Sequence, residues 1–99
     1  MRPIRNLRAA SEELSAAVRW YEDQRPGLGA DFFDAVAATT ARIRAHPEIG
    51  TSVPPDKQTK RLLVPRFPYQ VVYRLIGDGI VIVAVAHLKR RPGYWRHRA

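Results

Sequence analysis

The chain has 99 residues, no cysteine and a formal net charge of +8 at pH 7, with 45% hydrophobic residues. Such a length suits a single domain over 1–99 with one core, and the apolar share excludes a disordered chain. Lack of cysteine excludes disulfides and thiolate metal sites, and no run approaches the roughly 20 apolar residues that span a bilayer, so the sequence reads as cytoplasmic.

In chain order, Ile4 and Leu7 mark a short strand over 3–8. Ser11 reads as the N-cap of a first helix, with Glu12 and Glu13 at the positive end of its dipole. Leu14, Ala17, Val18 and Tyr21 follow at helical spacing and form one apolar face, which ends near Gln24 because Arg25 precedes Pro26. Trp20 and Tyr21 read as helix-packing residues. A second helix is expected from 28 or 29 to 45, with Phe32, Val36, Thr40 and Ile43 as its stripe, Phe33 and Ala37 broadening it, and Pro47 beyond its end. The short link between the two predicts an antiparallel helical hairpin.

A loop rich in Pro, Gly and polar residues occupies 47–59, and three strand-like runs follow at about 60–65, 69–76 and 80–87. Asp78-Gly79 predicts the tight turn between the last two. The last run is apolar on both faces, which predicts a central strand. The helices can cover one face only, so the basic, aromatic tail at 90–98 or a bound partner must shield the other. The expected fold class is α+β, in the order β-α-α-β-β-β, with an antiparallel sheet carrying the helical hairpin on one face.

Charge is segregated. Residues 1–56 hold seven Lys/Arg and eight Asp/Glu, whereas residues 57–99 hold ten Lys/Arg against Asp78 alone. A charge that served only solubility would need no such split, so an anionic partner is expected for the second half.

Several stretches together resemble the RelE/ParE superfamily of toxins from type II toxin–antitoxin modules. They are Ala17-Val18-Arg19-Trp20-Tyr21-Glu22, then Arg25-Pro26-Gly27-Leu28-Gly29 leading into Phe32 and Phe33, then Arg66-Phe67-Pro68-Tyr69 before Val71-Val72-Tyr73-Arg74, and last 82–87 before Arg90-Arg91-Pro92-Gly93-Tyr94-Trp95. The resemblance is closer to the ParE, or plasmid stabilisation, side. It implies a cognate antitoxin as partner in a hetero-oligomer, and as target either DNA gyrase, which is poisoned without catalysis, or the ribosome with its mRNA, which is cut without a metal. A basic binding domain without toxicity is the remaining alternative.

Metal-free RNA cleavage needs a base, an acid and cations on the phosphate. The candidates for those roles are Arg61, Arg74, His87 and Arg90, and the candidates for target or antitoxin contact are Arg66, Tyr69, Arg91, Tyr94, Trp95 and Arg96. The resemblance also implies a gap, because the mRNA-cleaving branch carries arginine where Gln70 stands and lysine where Leu63 stands. For His87 a structural, hydrogen-bonded role is as good a reading as a catalytic one. Tyr94 and Trp95 read as packing the tail onto the sheet in preference to stacking on bases. His46, His87 and His97 lack ligand spacing, and no glycine-rich phosphate loop follows a strand, so neither metal nor cofactor is expected.

Overall fold

The computed structural model describes residues 2–98. Its elements are β1 (Ile4–Asn6), α1 (Arg8–Gln24), α2 (Leu28–Ala45), β2 (Thr51–Ser52), β3 (Thr59–Leu63), β4 (Tyr69–Ile76) and β5 (Gly79–His87). The strands form one five-stranded sheet in the order β1-β5-β4-β3-β2. The α+β class and the expected order hold, with one addition: the two-residue strand β2 forms within the segment 47–59 expected as a loop, by pairing with β3. The sheet is mixed, however, because β1 lies parallel to β5 while the other neighbours are antiparallel. A parallel first strand follows from topology: α1 and α2 form the crossover that returns the chain to the sheet.

α1 begins three residues before the expected cap. Leu7 occupies the cap position without a side-chain bond, and the Ser11 amide donates to the Leu7 carbonyl within the first turn. Glu12 and Glu13 therefore lie beyond the first turn. Arg25 is extended, as its place before Pro26 requires. Gly27, at φ 91°, starts α2. Its cap comes from α1, since the Glu22 carboxylate accepts the Gly27 amide at 3.1 Å and the Gly29 amide at 3.0 Å. That bond replaces the missing Ser or Asp cap and fixes the angle of the hairpin. Gly29 lets the helices close up: a Cβ there would stand 2.7 Å from the Val18 carbonyl oxygen.

The buried face of α2 is Phe32, Ala35, Val36, Thr39 and Ile43. It is rotated from the expected stripe: Phe33 is exposed and Thr40 half-buried. Thr39 is tolerated inside because its hydroxyl donates to the Ala35 carbonyl at 2.8 Å. On the sheet, Val71, Tyr73, Ile80, Ile82 and Val85 meet the helices in the main core. The turn between β4 and β5 is Gly77-Asp78, one residue earlier than expected, with Gly77 at φ 60°. A two-residue turn needs positive φ at its first position, and glycine supplies it without strain.

β5 is central, and both of its faces are buried. Its outer face, away from the helices, joins Val81, Val83, Ala84 and Ala86 with Val72 of β4 under Trp95. The tail is thus the shield for the second apolar face, and Trp95 is 4% exposed. Truncating a buried indole of this kind costs about 3–5 kcal/mol.

A bulge interrupts the alternation of β5. Val72 pairs with Ala84 but Tyr73 pairs with Ile82, so Val83 is an extra residue in the ladder. Ile80 and Ile82 face the helices before it, and Val85 and His87 face them after it. Unbroken alternation would have turned His87 to the opposite face.

Candidate functional site

The bulge brings His87 opposite Tyr69, with ring centroids 5.0 Å apart at an angle of 74°. Trp20, on the last turns of α1, completes this corner. It is 59% exposed, contrary to the packing role expected for it, and stands edge-on to the Tyr21 ring at 5.1 Å. Tyr21 points inward instead, against Phe32 and Phe67. Two adjoining hollows of about 250 and 390 Å³ share Trp20, Tyr69 and His87, and Arg90 lines the first. The Lys89 amide donates to His87 Nδ1 at 3.0 Å, which puts the proton of the neutral ring on Nε2. Burial raises the Tyr69 phenol above its ordinary range, Tyr21 and Glu13 push the same way, and Arg90 opposes them.

The tail is fastened to α1 and the sheet by a carboxylate that sequence reading missed. Glu13 accepts the Val85 amide at 3.0 Å, the Tyr94 hydroxyl at 2.6 Å and both terminal nitrogens of Arg98 at 2.9 and 3.0 Å. Arg98 also donates to the Val83 carbonyl at 3.0 Å. Nothing local marks Glu13, because these partners lie 72 to 85 residues away in sequence. Burial raises the Tyr94 phenol, donation to Glu13 and the charge of that carboxylate push it further, and Arg90 and Arg98 pull the other way. The Arg90 guanidinium lies 3.9 Å from the Tyr94 ring centroid, close enough for a cation–π contact.

Arg74 belongs to the same fastening. It donates to Thr59 Oγ1 at 3.1 Å and to the carbonyl oxygens of Arg98 and Arg96. Asp56 supports it from the turn before β3: the Thr59 hydroxyl and amide hydrogen-bond its carboxyl and hold it below the usual carboxylate range.

The four residues considered for catalysis therefore do not converge. His87 and Arg90 share the aromatic corner. Arg61 and Arg74 extend from the sheet's outer face, because they pair in register with Val72 and Thr59. Arg74 lies five residue steps along the strand from Tyr69, about 16 Å. Arg61 is exposed and its nearest polar partner is Gln70, at 3.4 Å. Leu63 and Gln70 stand directly opposite one another on that face, so the two positions that depart from the mRNA-cleaving branch form one cross-strand pair.

Of the contact candidates, Tyr69 lies in the corner, Tyr94 is half-buried against Glu13, and Trp95 is core. Arg66 sits in the exposed turn before β4, at φ 72° and 5.7 Å from the Phe67 ring. Arg91 is exposed, and Arg96 is exposed beside the Trp95 ring at 5.4 Å. Among the described residues no cluster of acidic or histidine side chains could hold a metal, and no helix is long and apolar enough to cross a membrane.

Comparison with known proteins agrees with this fold. The family pattern described as "ParE toxin of type II toxin-antitoxin system, parDE" matches residues 4–92. No curated protein matches the chain. A solved structure described as "Chromosomal ParDE TA system from P. aeruginosa" superposes with a TM-score of 0.75 at 18% identity, covering 88% of this chain and 96% of that one.

Proposed function

The chain belongs to the ParE toxin family of type II toxin–antitoxin systems, and from that premise we propose that it acts as a non-catalytic poison of DNA gyrase or a related target. In this reading a cognate antitoxin in the same cytoplasm keeps it silent. The observation that carries the proposal is the outer face of the sheet. Cleavage without a metal requires proton-transfer groups and phosphate-binding cations around one point. Here the cross-strand pair Leu63–Gln70 is uncharged, and Arg74 holds the carbonyls of the tail. The basic second half then serves contact: Arg66, Arg91 and Arg96 project from turns and tail toward an acidic or nucleic-acid partner.

One observation favours the ribonuclease reading, namely that Tyr69, His87 and Arg90 share a corner. A parallel assay decides between them. Purified protein goes into a coupled translation reaction, with full-length mRNA followed on a gel, and into a gyrase supercoiling reaction. Intact mRNA with inhibited gyrase is the expected result. Ribosome-dependent cuts would overturn it and make Tyr69, His87 and Arg90 the catalytic candidates. No effect in either reaction would favour a basic binding domain without toxicity.

A further inference from the structure

We propose that the corner framed by Trp20, Tyr69, His87 and Arg90 binds a phosphate monoester carried on a planar ring, a nucleoside monophosphate being the simplest such ligand. The proposal is independent of which macromolecule the toxin attacks. It starts from an inventory of donors. With Nδ1 occupied by the Lys89 amide, His87 presents Nε2–H, and none of the described residues accepts it. The Tyr69 hydroxyl likewise has no acceptor among the described residues, although both side chains line the hollows. The Arg90 guanidinium lies over the Tyr94 ring, 3.9 Å from its centroid, and its N–H groups have no acceptor among the described residues.

The acceptors nearby are spent. Glu13 lines the same hollow, yet its two oxygens are taken by the Val85 amide, the Tyr94 hydroxyl and Arg98. The corner therefore offers three donor groups, one of them a fixed cation, while its one carboxylate is already engaged by other donors. A phosphate monoester presents three strong acceptor oxygens, whereas a carboxylate presents two. The remaining wall explains the ring. The Trp20 indole is 59% exposed at the mouth, set at right angles to Tyr21. An indole held in the open beside anion donors is a stacking platform for a base.

Trp20 also supplies the readout, since the chain's other tryptophan, Trp95, is buried where the tail packs on the sheet. The full chain is titrated with a nucleoside monophosphate, with the nucleoside alone, with inorganic phosphate and with an Asp/Glu-rich peptide, following tryptophan emission. The expected result is saturable quenching by the monophosphate, at least about tenfold tighter than by nucleoside or phosphate. Trp20→Leu should abolish the quenching, and Arg90→Glu should weaken binding at least about tenfold by the same measure. Both side chains are exposed, and unchanged circular dichroism and melting would show that the variants fold. No saturable quenching at millimolar monophosphate would overturn the proposal. So would equal binding of phosphate and monophosphate, or quenching that survives Arg90→Glu. Binding of the acidic peptide alone would also overturn it and reassign the corner to a protein partner.

Discussion

Glu13 and Arg98 pair at 2.9 Å although 85 residues separate them in sequence, with 17% and 15% of their side-chain surface left exposed. The pair joins the second turn of α1 to the last described residue of the tail, and through the Val85 amide it reaches the central strand just past the bulge. The shield over the sheet's outer face is thus held from the helical layer. Removing the carboxylate strands a mostly buried guanidinium and a half-buried phenol. Glu13→Ala should cost about 2–3 kcal/mol, less than breaking a fully buried pair because some solvent reaches both partners. Glu13→Gln should fall between it and the parent in urea denaturation, and equal midpoints for all three would refute the role.

Alkaline pH should loosen the same contact. The Tyr94 phenol is raised in the folded state, so its contribution is complete below the unfolded value of about 10 and is lost as pH rises beyond it. Tyr21, Tyr69 and Tyr73 are shifted in the same direction by burial and add to the slope. Melting temperature should fall as pH rises above about 10, and Tyr94→Phe should flatten that fall without removing it. A variant slope as steep as the parent's would contradict the assignment.

The helical hairpin has its own test. Gly29→Ala would push a methyl group against the Val18 carbonyl and the Glu22 side chain, and should destabilise by about 1–3 kcal/mol despite alanine's better helix propensity. Glu22→Ala should cost about 1 kcal/mol by removing the cap of α2. Amide exchange should then accelerate at Gly27 and Gly29 while that of the central strand is little changed. If exchange at those two amides stays as slow as in the parent, the cap is not what protects them.

Binding to an acidic antitoxin segment should weaken as salt rises, because Arg90 and Arg91 are exposed and the second half of the chain is strongly positive. Reversing both charges should slow association and reduce the salt dependence. Calorimetry at two ionic strengths measures both, and unchanged affinity in the double variant would move the interface elsewhere.

The sequence by itself determined both helices, the longer strands, the α+β class and the family. Apolar spacing marked both helices, Pro26 and Gly27 the break between them, and the doubly apolar run of β5 its central place. These are local signals, carried within a few turns of helix or one strand. What the residues do was decided by contacts that no local pattern contains. A single extra residue, Val83, turns His87 toward the helices and into the corner with Tyr69 and Trp20. Crossover geometry makes β1 parallel to β5. Arg74, read as a candidate cation for catalysis, is the arginine that ties down the tail, while Glu13 read as a dipole residue and instead anchors Tyr94 and Arg98. A charged side chain takes its role from the partner that folding delivers to it, and here that partner comes from the far end of the chain.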